Sequence, residues 1–173
     1  MVGSQAFPRG TDELRQWPSI QHLLAVVEGS RHWQAAVIVG SVATGQADAI
    51  SDVDVFILIE TGTFPDAWER RHELHGDSVV ACWDTGADRM AFGGHKWLTW
   101  DLTYMDCAVA EPETVDLAGP FLLAAGPQDL IDRVESHPVA QKRERTWVTG
   151  EPKPIAVAYA DLKAAVRATI RSA

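Results

Sequence analysis

The stretch that most constrains the fold is residues 52–59, DVDVFILI, an apolar run whose start carries two aspartates. In an extended chain, side chains two positions apart share a face, so both faces of this strand are apolar beyond Asp54. Such a run, rich in β-branched residues and too short to span a bilayer, is typical of a buried strand. Aspartate is a poor strand former, so the two acids at the start of the strand need a reason; taken alone, they could simply be exposed residues at the entry of the strand.

The remaining pattern predicts alternating helices and strands. Apolar spacing and Gly29 predict a helix over residues 18–29, and proline and glycine positions predict another over 65–74. Residues 85–95 are glycine-rich and predicted to be irregular. We expect an α+β or α/β domain over residues 1–135 and a helical extension over 136–173. Two further helices are predicted, one through Leu130 and one over residues 155–170. The predicted strands are 35–39, 52–59, 78–83, 96–106 and 121–124.

Charge and cysteine content limit the function classes. The net charge of −9 argues against non-specific binding to a phosphate backbone. Cys82 and Cys107 lie far apart without a CxxC pair, and the N-terminus has no signal-peptide pattern, which predicts a reduced, cytoplasmic protein. No apolar run is long enough for a membrane span, so no membrane partner is expected.

Asp52 and Asp54 are predicted to lie side by side at the rim of the core. Like charges held this close repel each other, and a divalent cation is the natural counter-charge. Carboxylate oxygens favour Mg²⁺, which also binds substrate phosphates. A third acid would complete such a site, and Asp101, on the polar face of the alternating stretch 96–106, is the predicted one; Asp106 is the alternative.

Gly40 and Ser41 follow the strand predicted over residues 35–39. A glycine followed by small residues lets backbone N–H groups and a hydroxyl approach phosphate oxygens closely. A Gly–Ser pair alone is a weak signal, but here an Asp-x-Asp motif follows ten residues later at the start of a hydrophobic strand.

These motifs together resemble the signature of the nucleotidyltransferase (DNA polymerase beta-like) superfamily, in particular its minimal, aminoglycoside- and lincosamide-modifying branches. The resemblance covers most of the first 135 residues and implies a mixed β-sheet flanked by helices, here with a C-terminal helix. By position, Gly40 and Ser41 would bind nucleotide phosphates. Asp52, Asp54 and Asp101 would be the catalytic acids and would ligate Mg²⁺, with two ions when nucleotide is bound.

The resemblance implies transfer of a nucleoside monophosphate, AMP from ATP, to a hydroxyl of a small-molecule acceptor such as an aminoglycoside or lincosamide. The alternative is a nucleotidyltransferase-fold partner in a two-protein, toxin–antitoxin-like system, which modifies or binds a protein. Two departures bear on the choice. The turn after Ser41 lacks the basic residue of some relatives, and the C-terminus is short, so the acceptor site could involve a homodimer or a partner protein.

Other residues carry weaker signals. Ser51 is a candidate nucleotide contact, although Ser51 and Asp48 are also typical turn formers. His72 and His75 could form a metal pair, but no third ligand is evident and a solvated helix face is favoured. Lys96 is a candidate triphosphate contact, as is the basic cluster at residues 142–145. One or two of the seven tryptophans could stack on a base.

Overall fold

A computed structural model describes residues 6–88, 91–117 and 119–136. The predicted helix at 155–170, the basic residues at 142–145 and nearly all of the predicted extension lie outside the described residues. The described helices and strands are, in chain order, α1 (Trp17–Gly29), β1 (Ala35–Val39), α2 (Gly40–Ala43), β2 (Val53–Leu58), α3 (Phe64–Glu69), β3 (Val79–Asp88), β4 (Phe92–Thr99), β5 (Tyr104–Ala110), β6 (Phe121–Ala125) and α4 (Gln128–Ser136).

In the described part of the chain, six strands form one mixed sheet in the order β3-β4-β5-β2-β1-β6. Strands β2 and β5 pair in parallel, and every other neighbouring pair is antiparallel. The protein is therefore α+β, with a mixed sheet flanked by helices, as predicted. Strand β2, the hydrophobic run that the sequence predicts to be buried, lies between β5 and β1 in the interior of the sheet.

Helix α1 covers one face of the sheet, called the α1 face below. Ile20, Leu23 and Val27 are buried there, which confirms the predicted core-facing stripe of this helix. The inward-facing residues of β2, Val53, Val55 and Ile57, belong to the same cluster. Burial of a side chain of this size contributes about 1.5–3 kcal/mol, so α1 is held mainly by this contact.

Helix α4 covers part of the opposite face, called the α4 face. Its buried residues Leu130, Ile131 and Val134 cluster with Leu58 of β2 and Leu123 of β6. Leu58 lies at the C-terminal end of β2. The N-terminal end of β2, where Asp54 lies, is outside the cluster.

Residues 85–95 are predicted to be irregular, but residues 85–88 form the end of β3 and residues 92–95 the first half of β4. The prediction was wrong because the glycines serve close packing within a strand. A Cβ atom on Gly93 would lie 2.5 Å from the Trp68 ring, so only glycine lets Trp68 pack there. The predicted helix over 65–74 is also divided, into α3 and a 3-10 turn, Arg71–Leu74.

Within the described ranges, no helix combines the length and apolar character needed to cross a membrane.

Candidate active site

Two carboxylates meet on the α4 face where β2 and β5 pair. Asp54 of β2 is the register partner of Asp106 of β5, and both side chains are half-buried. Register partners on neighbouring strands are about 4.8 Å apart and direct their side chains to the same face. Asp52, also half-buried, immediately precedes β2 and lies two positions before Asp54. The parallel pairing therefore collects acids from two segments that are distant in the sequence.

Gly40 lies against Asp54 because β1 is antiparallel to β2 and Val39 is the register partner of Asp54. The Gly40 backbone has φ +69°, a left-handed conformation that favours glycine. A Cβ atom at this position would lie 2.7 Å from the Asp54 Oδ2 atom. Ser41 follows in α2 and is half-buried. The structure thus brings the predicted Gly–Ser turn into contact with the Asp-x-Asp motif.

Ser51 lies in the turn that precedes Asp52. Its hydroxyl donates a 2.9 Å hydrogen bond to Asp48 Oδ1 and accepts one of 2.9 Å from the Asp48 backbone N–H. The buried Gln16 side chain donates to the carbonyl oxygens of both Ser51, at 2.6 Å, and Asp48, at 2.8 Å. These bonds confirm the turn-forming role of Ser51 and anchor the segment that carries Asp52. A nucleotide contact of Ser51 stays a prediction.

Asp101 does not lie on a strand, and the predicted continuous strand over residues 96–106 is wrong. Strand β4 ends at Thr99 and β5 begins at Tyr104, so Asp101 lies in the turn between them. The Asp101 carboxylate accepts hydrogen bonds from the Thr99 hydroxyl and from the Thr103 N–H. These contacts give it a defined structural role in closing the hairpin.

The Asp101 carboxylate also differs from Asp54 in its surroundings. It borders a cavity of about 690 Å³ whose lining includes His22 and Trp97, residues of α1 and of the α1 face. Burial tends to raise the pKa of Asp101, but hydrogen bonds from Thr99 and Thr103, with the nearby charge of Arg15, lower it on balance. The structure therefore brings Asp106 to Asp54 and places Asp101 in a hairpin turn that borders a separate cavity.

Asp106 could have been found from its local pattern. Like Asp54, it stands near the start of an apolar strand, in the segment YMDCAVA. The alternation of residues 96–106 obscured this pattern, because a turn without glycine or proline in its loop does not interrupt the period of two. Leu102 occupies a left-handed position in this four-residue loop, with φ +62°.

Lys96 of β4 adds a positive charge to the carboxylates. It is the register partner of Asp106, and its Nζ atom is 2.5 Å from Asp106 Oδ2. The exposed fractions of the two side chains are 19% and 32%, so this ion pair lies partly out of the solvent. The predicted triphosphate contact is therefore a neighbour of the acid on β5.

An aromatic surface continues the same row of the sheet. Trp83 of β3 is the register partner of Lys96 and so lies two strands, or about 10 Å, from Asp106. Its ring stacks on Tyr104 with centroids 5.7 Å apart and planes 19° apart. Trp83 is 36% exposed, so this stacked pair presents an apolar surface to solvent.

The donor atoms at this site suit Mg²⁺. Asp52, Asp54 and Asp106 offer hard carboxylate oxygens, and Lys96 forms an ion pair with Asp106. The close contact of Asp54 with Gly40 leaves backbone, with no side chain, beside the carboxylate, as approach of a phosphate requires. The arrangement can hold a cation next to an anionic ligand.

No family model matches the chain, and a comparison with curated proteins found no match.

Proposed function

We propose that this protein is a Mg²⁺-dependent nucleotidyltransferase that transfers AMP from ATP to a hydroxyl group of a small-molecule acceptor. The observation that carries the proposal is the register pairing of Asp54 with Asp106, with Gly40 and Ser41 beside Asp54. A nucleotidyltransferase fold is part of this proposal. It is supported by the mixed sheet, in which the Gly–Ser turn after β1 lies beside the Asp-x-Asp motif at the start of β2.

Each residue has a distinct part in the proposed reaction. Asp52 and Asp54 hold Mg²⁺, which when bound neutralises phosphate charge that would otherwise repel the carboxylates. The Ser41 hydroxyl and the backbone N–H groups of the turn bind phosphate oxygens. Lys96 binds a further phosphate oxygen while it stays close to Asp106.

Asp106 orients the acceptor hydroxyl and accepts its proton as the oxygen attacks the α-phosphorus. The bond between the α-phosphorus and the bridging oxygen breaks, and pyrophosphate leaves with the electron pair. Positioning of the two reactants supplies much of the rate increase in such a transfer. Trp83 and Tyr104 form a surface on which the adenine ring can stack.

The acidic surface favours a cationic acceptor. A chain with a net charge of −9 attracts polycations and repels polyanions, which suits an aminoglycoside. We therefore expect aminoglycosides to be the best acceptors in a panel that also contains lincosamides and neutral sugars.

The test is incubation of the protein with α-labelled ATP, Mg²⁺ and this acceptor panel. We expect acceptor-dependent label transfer and pyrophosphate release from the wild type, and neither from Asp54→Asn. Mg²⁺-dependent ATP binding is measured in parallel, and its absence from the wild type would refute the proposal. Retention of full transfer by Asp54→Asn would refute the assigned metal ligands.

The aromatic surface is tested in the same assay. Trp83→Ala is expected to raise the KM for ATP by about tenfold, since a base–aromatic stack contributes about 1–3 kcal/mol. Trp100→Ala is the matched control, because Trp100 is 76% exposed and lines the cavity next to Asp101 instead. An equal effect of the two substitutions would contradict the stacking role.

A further inference from the structure

A second cluster of ligating side chains lies on the α1 face, away from the carboxylates. It consists of His72 and His75, from the 3-10 turn after α3 and the residue following it, and Cys82 of strand β3. One ligand atom from each of the three residues lies within 4.8 Å of the other two. Cys82 is the register partner of Trp97, a core residue of the α1 face, so its side chain is on that face.

The separation of the two imidazoles already matches that of two metal ligands. His72 Nδ1 and His75 Nε2 are 3.3 Å apart. Two nitrogens bound at about 2.0–2.1 Å to a tetrahedral zinc ion are about 3.3 Å apart. A zinc–thiolate bond of about 2.3 Å places the sulfur about 3.6 Å from each nitrogen, so the Cys82 side chain has to move by only about 1 Å.

A buried histidine, His95, packs against the rings of both His72 and His75. His95 is fully buried, and its ring centroid is 4.9 Å from that of His72 and 5.4 Å from that of His75. Its Nδ1 atom hydrogen-bonds Asp84 at 2.8 Å, and its Nε2 atom has no hydrogen-bond partner among the described residues.

The orientation of His95 is fixed through Asp84. Arg71 donates two hydrogen bonds to the Asp84 carboxylate, of 3.0 and 2.8 Å. Arg71 and Asp84 thus hold in place the ring of His95, which packs against the rings of His72 and His75.

We propose that His72, His75 and Cys82 bind one Zn²⁺ ion, with water in the fourth position. Two imidazoles and a thiolate are the ligand set that zinc prefers, and Mg²⁺ prefers oxygen ligands. The site is thus chemically distinct from the carboxylate site on the α4 face. The bound ion connects β3, an edge strand of the sheet, to the turn after α3 and so stabilises that edge.

The test uses the full chain with any affinity tag removed, after treatment with a chelator and dialysis. Zinc is added in competition with a chromophoric chelator, and bound zinc is counted by elemental analysis. We expect one zinc ion per wild-type chain and an affinity at least about tenfold lower in His72→Ala and in Cys82→Ser. His32→Ala and Cys107→Ala are the matched controls, since neither residue belongs to the cluster, and both should bind zinc like the wild type.

Two further measurements separate a site from incidental binding. Cobalt in place of zinc should give a thiolate-to-cobalt charge-transfer band that is absent from Cys82→Ser. Excess zinc should raise the melting temperature of the wild type and of both controls, but not of His72→Ala. Since His72 and Cys82 are exposed, these variants should fold, as circular dichroism can verify. Equal zinc affinity in all five proteins, or no bound zinc in the wild type, would overturn the proposal.

Discussion

Substituting Asp101 and Asp106 separately tests which acid completes the carboxylate site. The asparagine variant of each residue keeps the size of the side chain and removes its charge. In Asp106→Asn the charge is lost beside Asp54, and Lys96 loses its ion-pair partner. In Asp101→Asn a carbonyl oxygen remains to accept the hydrogen bonds of Thr99 and Thr103, so the turn is largely preserved.

The expected effects on activity differ by orders of magnitude. Loss of a group that accepts a proton in the transition state lowers kcat by roughly 10²–10⁴-fold, which corresponds to about 3–5 kcal/mol of activation free energy. We expect this loss for Asp106→Asn and less than about a threefold change for Asp101→Asn.

For stability, we expect the larger loss from substitution of Asp101 and the smaller one from substitution of Asp106. A partly exposed ion pair contributes at most about 1 kcal/mol, so Asp106→Asn should change the free energy of unfolding by no more than that. Asp101→Ala removes two hydrogen bonds at a partly exposed turn and should cost about 1–2 kcal/mol. At about 2–4 °C per kcal/mol for a chain of this size, its melting temperature should fall by about 2–8 °C.

The assay pairs initial rates of pyrophosphate release at saturating ATP with thermal unfolding followed by circular dichroism. A variant that loses activity at an unchanged melting temperature has lost chemistry and not structure. If Asp101→Asn abolished transfer at an unchanged melting temperature, and Asp106→Asn retained it, the assignment of the third acid to β5 would be refuted.

Three further predictions concern strain, close packing and pH. Leu102→Gly should raise the melting temperature by about 2–8 °C, because a non-glycine residue in the left-handed conformation costs roughly 1–2 kcal/mol; an unchanged value would contradict the strain. Gly40→Ala should abolish Mg²⁺-dependent ATP binding, because the added Cβ atom would displace the Asp54 carboxylate. Wild-type affinity of this variant in isothermal titration would contradict the importance of the contact. Burial tends to raise the pKa of Glu113, but hydrogen bonds from Arg133 and other groups lower it overall. Its stabilisation should therefore be complete above pH about 4.3 and be lost as the pH falls further. In urea unfolding, Glu113→Gln should be less stable than the wild type at pH 7 by at most about 1 kcal/mol, with a smaller difference at pH 3.

The interior of the fold could be predicted from the sequence because its signals are local. The helical stripe of α1 and the apolar run of β2 each specify burial within a few residues. The contact between the Gly–Ser turn and Asp54 was also predictable, because a strand that ends at Val39 and one that starts at Val53 can pair as antiparallel neighbours.

The third acid could not be chosen from local pattern. The alternation of apolar and polar residues continues unbroken through the β4–β5 turn. Leu102 occupies the left-handed position of this turn, whereas a glycine there would have indicated the turn in the sequence. Asp101 was therefore predicted to lie on a strand. The partner of Asp54 is decided by parallel pairing of distant segments, and this pairing has no local sequence signal.

The histidine cluster shows the same limitation. His72 and His75 are visible as a pair, but Cys82 joins them only through the packing of the turn after α3 on the edge strand. Strand β4 was likewise not predicted at the glycine-rich segment before His95. A glycine that makes room for the Trp68 ring cannot be distinguished in the sequence from a loop glycine.

The parallel pairing of β2 with β5 also affects how the site forms. No short turn connects these strands; Asp54 and Asp106 are about fifty residues apart, and α3, β3 and β4 lie between them in the chain. Closing so long a loop is slow and is favourable only once many other contacts exist. A collapsed chain with an incorrect strand order would contain the same acids without the site. Mg²⁺-dependent nucleotide binding would therefore report that the chain has reached its native strand order, which a helix-content measurement cannot do.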